Sequence, residues 1–194
     1  MNKLELLDRK LLLFINSLNH PILDEIMWFL SGKFSFVPMY IFLLVYLYKT
    51  KGIKWTFFII LFLSFTILLS DQISVHLFKN VFQRLRPSHN TTLQGLLHYY
   101  EIQKGTFYQG GQYGFVSSHS TNFAAFVTFV AGFLSVYKKL ILTILTGLAV
   151  LVCLSRIYLG VHYPSDVLVG ALLGSVIGYS MRKLLLFMAR KRKA

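Results

Sequence analysis

Long apolar runs alternate with short polar segments along the chain. A helix needs about 20 residues to cross the hydrocarbon core of a bilayer. The pattern predicts five transmembrane helices, some of which need their polar ends to reach that length, at residues 34–48, 55–78, 119–137, 140–155 and 164–181. The predicted fold class is therefore an all-α integral membrane protein, built as a bundle of about five transmembrane helices.

The first 33 residues mix leucine and phenylalanine with charged side chains. This mixture is typical of amphipathic helices that lie at the membrane interface. A sixth span through residues 11–30 is possible, but polar residues and a proline interrupt it, namely Asn16, Asn19, His20, Pro21, Asp24 and Glu25. The chain therefore divides into an interfacial region, residues 1–33, and a membrane-embedded domain, residues 34–194.

Composition supports a membrane protein and limits the possible partners. Hydrophobic residues make up 55% of the 194 residues and charged residues only 14%, which excludes an ordinary soluble domain. The net charge is +13, but the basic residues separate apolar runs and form no single face, so we expect no nucleic-acid partner. Cys153 is the only cysteine, which excludes an intrachain disulfide and a thiol-based metal cluster.

The distribution of lysine and arginine predicts the orientation of the spans. These residues lie between the first and second spans, between the third and fourth, and after the fifth: Lys49, Lys51, Lys54, Lys138, Lys139, Arg182, Lys183, Arg190, Lys191, Arg192 and Lys193. The positive-inside rule makes these three sites cytoplasmic. The N-terminus and the connections 79–118 and 156–163 are then extracytoplasmic, so the polar residues at four helix ends face one side.

Two of these helix ends carry residues suited to binding an anion. Lys79 and Arg86 are seven residues apart, about two helical turns, so both can project from one face. Any one of these cations could simply anchor the chain at the lipid headgroups, but Arg84 is a third, and the three together favour an anion site. Ser117 or Ser118 can cap the third predicted helix, whose positive N-terminus suits a phosphate.

The segment SRIYLGVHYPSD, residues 155–166, supplies the other polar side chains. His162 and Asp166 are four residues apart and can meet, and an aspartate bonded to one imidazole nitrogen raises the nucleophilicity of the other. Arg156 offers a planar donor fork that suits phosphate oxygens. His119 alone would be an ordinary interfacial histidine, but it reaches the same membrane face and is therefore a second catalytic candidate.

These residues resemble the three-part signature of the type 2 phosphatidic acid phosphatase superfamily. The match reads Lys79-x6-Arg86-Pro87, then Ser117-Ser118-His119, then Ser155-Arg156-x5-His162-x3-Asp166. The first and third parts match at every position. In the second part, Val116 and Ser118 stand where family members usually have proline and glycine. The motifs span residues 79–166, and residues 1–33 lie outside the resemblance.

The resemblance implies a role for each residue of the signature. His162 would attack phosphorus and become a phosphohistidine, oriented by Asp166, while His119 would protonate the leaving oxygen and then activate water. The phosphoryl oxygens would be held by Lys79, Arg86, Ser117, Ser118 and Arg156. The resemblance implies no cofactor and no metal, and the sequence has no carboxylate-rich cluster for magnesium near the motifs.

The predicted function is hydrolysis of a phosphate monoester or diphosphate on a membrane lipid, with residues 34–194 as the phosphatase domain. Candidate substrates within the family are phosphatidate, phosphatidylglycerophosphate, undecaprenyl diphosphate and the phosphates of lipid A. The predicted partners are this lipid and the bilayer. The predicted location is the bacterial inner membrane, with multiple spans and an extracytoplasmic active site.

Two alternative functions use the same residues. A lipid phosphotransferase would pass phosphate from His162 to a second lipid. A non-catalytic protein that binds anionic lipids would use the cations but leave His119, His162 and Asp166 without a role. A transporter is disfavoured, because the polar residues cluster at one membrane face and not at the midplane.

Two further features lie near the motifs. Asp71 is an acidic residue inside the second predicted span, and we expect it to pair with a cation or another helix rather than to tune the site. The connection through residues 89–115 is long, aromatic and rich in glycine near its end. It suits a lid or a lipid-entry rim over the site, or a plain interfacial loop.

Overall fold

The computed structural model describes residues 3–32 and 34–191. In chain order these residues form α1 (Lys3–Asn16), α2 (Pro21–Ser31), α3 (Val37–Gln72), α4 (Asn80–Phe82), β1 (Glu101–Gln103), β2 (Thr106–Phe107), α5 (Ser118–Val130), α6 (Lys138–Tyr158) and α7 (Pro164–Lys191). A π-helical segment, Ile73–Lys79, joins α3 to α4, and short 3₁₀ turns follow at Pro87–His89 and Thr91–Leu93. The predicted domain boundary at Lys33 and the basic residues Arg192 and Lys193 lie outside the described residues.

Gly52 divides α3 into two helical stretches. Its φ of 76° and ψ of 166° interrupt the helix, and a positive φ of this kind is open to glycine but strained for other residues. Leu43 and Leu47 before the break and Ile59 after it are buried in the same hydrophobic cluster. The two stretches therefore correspond to the first two predicted spans, with a connection shorter than the sequence indicated.

Among the described residues, three helical stretches are long and apolar enough to cross a membrane: Val37–Phe82, Lys138–Tyr158 and Pro164–Lys191. The first of them contains both stretches of α3. At 13 residues, α5 is shorter than predicted, because the helix ends at Val130 and the chain runs on without helix to Tyr137. Residues 11–30 fall in two helices, α1 and α2, and do not form one continuous span. The number of spans, five or six, stays a prediction.

Helices α5 and α7 pack closely through glycine. Three glycines at four-residue intervals line the face of α7 that meets α5: Gly170, Gly174 and Gly178. A Cβ added at Gly174 would lie 2.0 Å from the carbonyl oxygen of Thr121, so only glycine allows this approach. Such small-residue stripes let helix backbones come close in membranes. The stripe sets the start of α5 beside the start of α7.

The predicted all-α fold misses one small sheet. Strands β1 and β2 pair antiparallel within the long connection between α4 and α5. The turn between them contains Gly105, whose φ of 79° is in the left-handed region. The sequence reading identified this connection as aromatic and glycine-rich but not as a hairpin.

The basic connections gather at one end of the molecule. Lys54 lines a cavity with Leu185 and Met188, which places the break in α3 beside the end of α7. The hydroxyl of Tyr46 donates to the carbonyl oxygen of Val136, which brings the turn before α6 to the same end. Helix α7 has 28 residues, and at 1.5 Å per residue it separates this end from its own first turn by about 40 Å.

Candidate active site

Four chain segments meet where α5 and α7 begin and where α6 and the π-helical segment end. They carry the residues that the sequence assigned to a site: Lys79, Arg86, Ser117, Ser118, His119, Arg156, His162 and Asp166. Ser117 and Asp166 are fully buried, and Arg156 and His162 are each only 1% exposed. The backbone N–H of Ser117 donates to the carbonyl oxygen of Asp166 at 3.0 Å, which ties α5 to the first turn of α7.

His162 and Asp166 face each other across the start of α7. Nδ1 of His162 lies 3.5 Å from Oδ2 of Asp166, which is longer than a normal hydrogen bond. The same carboxylate oxygen accepts a hydrogen bond from the backbone N–H of Tyr163 at 3.0 Å. The carboxylate is thus fixed at the helix N-terminus with one oxygen directed to the imidazole. Such contacts are often long in unliganded enzymes.

The electrostatics of the site keep His162 neutral. Burial lowers the pKa of its imidazole well below the usual range, and the positive charges of Arg86, Arg156 and Lys79 lower it further. A neutral imidazole is the form that can attack phosphorus. The same three cations and His162 act electrostatically on His119, so both histidines belong to one charged cluster.

Arg84 pairs with two carboxylates of the protein. Its Nη1 donates to Oδ1 of Asp166 at 2.7 Å, and its Nη2 donates to Oδ2 of Asp8 at 2.6 Å. The guanidinium also lies 4.1 Å from the centroid of the Tyr163 ring. Arg84 is therefore engaged within the protein and does not join the predicted anion site.

Ser118 contacts Lys79, whose Nζ donates to the serine Oγ at 2.7 Å. The Oγ of Ser74 lies 2.7 Å from the same atom. Ser118 begins α5, and in the described part of the chain the non-glycine residues with positive φ are Gln83 and Tyr137, so the backbone of Ser118 does not require glycine. In this structure the Ser118 hydroxyl therefore holds Lys79.

Ser117 occupies the predicted N-cap position of α5, but its side chain makes no capping hydrogen bond. Its Oγ is buried and has no hydrogen-bond partner in the described part of the chain. A buried hydroxyl without a partner is unfavourable, and a ligand oxygen would satisfy it.

Arg156 and Arg86 are held by side chains and backbone around the site. Nη2 of Arg156 donates to the hydroxyl of Tyr108 at 2.8 Å, and its Nη1 donates to the hydroxyl of Ser31. Nε of Arg86 donates to the carbonyl oxygen of Tyr113 at 3.1 Å. Each guanidinium has five N–H groups, so both arginines keep donors for a ligand after these contacts.

A cavity of about 830 Å³ adjoins the site at His119 and Ser118. Most of its wall is apolar and comes from several helices, with side chains that include Leu30, Phe36, Leu43, Leu63, Phe126 and Val152. Asp71 and Asn122 also line it, and Nδ2 of Asn122 lies 3.5 Å from Oδ1 of Asp71. Asp71 thus faces α5 at a distance longer than a normal hydrogen bond, and its pairing with another helix stays a prediction. The cavity therefore combines a mostly apolar wall with the polar side chains of Ser118, His119 and Asn122.

The long connection before α5 is attached to α2 by aromatic contacts. Trp28 stacks on Tyr100 with ring centroids 4.6 Å apart and meets Tyr108 edge-on at 4.9 Å. The hydroxyl of Tyr100 donates to the carboxylate of Glu25. The connection therefore reaches the site through Tyr108 while it is anchored on α2, and its role as a lid stays a prediction.

Sequence reasoning missed several residues that contact the predicted site: Asp8, Ser31, Ser74 and Tyr108. Asp8 and Ser31 lie in the region that was assigned to the membrane interface. Tyr108 lies in the connection 89–115, which the sequence marked only as aromatic and rich in glycine. These four residues have polar side chains that become buried or hydrogen-bonded only when distant segments pack together. The sequence has no local pattern that identifies them. Among the described residues, no group of three histidine, cysteine or acidic side chains is placed to hold a metal ion.

Residues 60–189 match the family model of the PAP2 superfamily, the type 2 phosphatidic acid phosphatases. The chain is 34% identical over 185 residues to a lipid A 4'-phosphatase of Porphyromonas gingivalis, covering 95% of this chain and 75% of that protein. It is 33% identical over 189 residues to a lipid A 4'-phosphatase of Bacteroides thetaiotaomicron, covering 97% and 79%. A shorter match, 39% identical over 77 residues, covers 36% of this chain and 38% of phosphatidylglycerophosphatase B of Bacillus subtilis.

Two crystal structures resemble this one. The transmembrane PAP2-type phosphatidylglycerolphosphate phosphatase of Bacillus subtilis has a TM-score of 0.64 at 23% identity, covering 98% of this chain and 88% of that chain. The LpxE protein of Aquifex aeolicus has a TM-score of 0.62 at 23% identity, covering 91% and 95%. At these identities the likeness shows a shared fold, and together with the apolar helices it confirms an integral membrane protein.

Proposed function

The chain belongs to the PAP2 superfamily and is a phosphatase, as the sequence predicted, and we propose that it hydrolyses a phosphate ester of a membrane lipid through a phosphohistidine at His162. The observation that carries this proposal is the buried pair of His162 and Asp166 among three cations. This arrangement provides a neutral nucleophile together with groups that compensate the charge of a bound phosphate.

In the first step, Nε2 of His162 attacks phosphorus, because Nδ1 faces Asp166. The imidazole becomes positively charged as the bond forms, and the carboxylate stabilises that charge. The negative charge of the bound phosphate offsets the cations around His119, so this imidazole can hold a proton, which it gives to the leaving lipid oxygen. His119 then takes a proton from water, which attacks the phosphohistidine, releases inorganic phosphate and restores neutral His162.

The phosphoryl oxygens bind the groups around His162. Arg86 and Arg156 have N–H donors beyond those used within the protein. The unpartnered Oγ of Ser117 donates to one oxygen, and Lys79, held by Ser118, neutralises the remaining charge. Because these groups are fixed before the substrate binds, they stabilise the transition state without further reorganisation.

The cavity beside His119 supports a lipid substrate. It has about 830 Å³ of space and a mostly apolar lining, and apolar cavities with a few polar groups at one end are typical ligand sites. Both relatives that match nearly the whole chain are named lipid A 4'-phosphatases. We therefore place a phosphorylated lipid of the lipid A type first, and phosphatidylglycerophosphate second on the shorter match.

The proposed site lies on the extracytoplasmic side of the inner membrane. The basic connections are separated from the catalytic cluster, since Lys54 neighbours the end of α7 whereas Asp166 lies in the first turn of that helix. Basic connections favour the cytoplasm. The opposite end of α7, where His162 precedes the helix, then faces away from the cytoplasm.

Phosphate release by the purified protein in detergent tests the proposal. The substrates are lipid A, phosphatidylglycerophosphate, phosphatidate and undecaprenyl diphosphate, each assayed with EDTA present. We expect lipid A to be hydrolysed fastest and His162→Ala to abolish turnover. His76→Ala is the matched control, because His76 is an exposed histidine outside the cluster.

The covalent step is tested by an alkaline quench with substrate labelled on phosphate, followed by peptide mapping. Label on His162 supports the mechanism, and label on His119 contradicts it. Transfer of the label to a second lipid in place of water would identify a phosphotransferase.

A further inference from the structure

Arg84 divides its guanidinium between two buried carboxylates from distant parts of the chain. Nη1 binds Oδ1 of Asp166 at 2.7 Å, and Nη2 binds Oδ2 of Asp8 at 2.6 Å. Asp8 is 6% exposed although it lies in α1, which otherwise has the composition of an interfacial helix. A buried carboxylate needs a partner of opposite charge, and Arg84 supplies the positive charge that pairs with Asp8.

Asp8 is also fixed by the first turn of α7. Its Oδ1 accepts a hydrogen bond from the backbone N–H of Ser165 at 2.8 Å. Its Oδ2 accepts one from the hydroxyl of Ser165 at 2.5 Å. Asp8 therefore binds the N-terminus of α7 from outside the helix, at the residue next to Asp166. These bonds couple the position of Asp8 to the first turn of α7, which carries Asp166.

The division of the guanidinium matters for His162. Arginine and a carboxylate often pair through two parallel hydrogen bonds. Arg84 gives Asp166 only one such bond, because Nη2 is held by Asp8. Oδ2 of Asp166 is thus left for the backbone N–H of Tyr163 and for the imidazole of His162, 3.5 Å away.

We propose that Asp8 is a positioning residue for catalysis: it holds Arg84 to a single contact with Asp166 and so keeps Oδ2 directed at His162. Without the carboxylate of Asp8, Nη2 turns to Asp166, and Arg84 takes both of its oxygens. His162 then loses the group that orients it. This inference rests on the proposed function, because it requires Asp166 to orient the nucleophile.

Asp8→Asn tests the inference, since asparagine keeps the shape and loses the charge that attracts Nη2. We expect kcat for lipid phosphate to fall about tenfold, a usual effect of removing a group that orients a catalytic residue. KM should change little, because the groups that bind phosphate are untouched. Glu5→Gln is the matched control: Glu5 lies on the same helix, and its one ion pair among residues 3–32 and 34–191 is with Arg9, at 3.0 Å.

The same substitution in an Asp166→Asn background separates positioning from general stability. If Asp8 acts through Asp166, Asp8→Asn causes no further fall in kcat in the Asp166→Asn protein. If the two substitutions act independently, for example by disturbing the fold, their fold-reductions in kcat multiply. Arg84→Lys provides a second route, because one ammonium group cannot hold both carboxylates, and it should lower kcat to a similar extent. It decides the question if Asp8→Asn does not fold.

Three results would overturn the inference: normal kcat in folded Asp8→Asn, an equal further fall in the Asp166→Asn background, or normal kcat in Arg84→Lys. The proposed function fails in a different way. In that case Asp166→Asn itself, or His162→Ala, would retain the activity of the unmodified protein.

Discussion

At the scale of single residues, the surroundings of His162 are unfavourable for a protonated imidazole and favourable for a phosphorylated one. The side chain is 1% exposed and lies among Arg86, Arg156 and Lys79. A proton would add positive charge to this cluster, whereas a transferred phosphoryl group adds negative charge that the cations compensate. The site is therefore preorganised for the phosphorylated intermediate and not for a protonated imidazole.

The charge of Arg86 should control the acid limb of the pH profile of kcat/KM. As the pH falls, the nucleophile is lost when His162 takes up a proton, and burial together with the nearby cations holds the pKa of His162 well below its usual range. Arg86→Gln removes a positive charge, so the pKa rises towards the usual value of about 6.5. Activity is then lost at a higher pH on acidification.

Arg86→Lys is the matched control for this prediction, because it keeps the charge and should leave the acid limb in place. Both variants are assayed on one lipid, so that ionisation of the substrate affects them equally. An acid limb that stays unshifted in Arg86→Gln would show that the charge of Arg86 does not govern the protonation of His162.

At the scale of helices, the contact between α5 and α7 positions the two catalytic ends. Ser117 precedes α5, Asp166 lies in the first turn of α7, and their backbones share a hydrogen bond of 3.0 Å. A Cβ at Gly170 would lie 2.8 Å from the carbonyl oxygen of Ser117. Glycine thus sets the distance between the helices at the level of the active site as well as deeper in the bundle.

Gly174→Ala should destabilise the protein and lower its activity. The new methyl group would lie 2.0 Å from the carbonyl oxygen of Thr121, so the helices must separate. We expect a loss of about 1–3 kcal/mol, as in other overpacked sites, and a lower kcat because the two helix starts shift. Thermal unfolding in detergent and phosphate release measure the two effects.

Gly147→Ala on α6 is the control for Gly174→Ala, because a Cβ there meets no atom within 4 Å. It should keep full activity and, since alanine favours helix by about 1 kcal/mol over glycine, it should not lower the unfolding temperature. Equal behaviour of the two variants would mean that the glycine stripe does not set the helix distance.

Local spacing made part of this site predictable from the sequence. The four-residue interval between His162 and Asp166 predicts that they meet, and the structure places them 3.5 Å apart at the start of α7. Contacts between remote segments carry no such signal. Arg84 looked like one of three cations for an anion, but α1 folds against the site and brings Asp8 to it. The burial of that carboxylate depends on packing, which spacing does not reveal.

At the scale of the whole molecule, the N-terminal helices lie at the same end as the catalytic cluster. Nδ2 of Asn16, the last residue of α1, donates to the carbonyl oxygens of Tyr158 at 2.7 Å and His98 at 2.8 Å. The hydroxyl of Tyr158 in turn donates to Asp24 of α2 at 2.5 Å. These helices are therefore part of the wall around the site, and the sequence placed the N-terminus on that side from the basic residues alone.

The side of the membrane on which this end lies can be tested with cysteines introduced into a Cys153→Ala protein. Gln94 is exposed in the connection before α5, and Lys138 is exposed at the start of α6, at the opposite end. The positive-inside rule predicts that the basic end is cytoplasmic. In intact spheroplasts an impermeant maleimide should therefore label Gln94→Cys but label Lys138→Cys only after the membrane is permeabilised. The reverse pattern would place the catalytic cluster in the cytoplasm and exclude an extracytoplasmic phosphatase, while the contacts within the cluster would be unchanged.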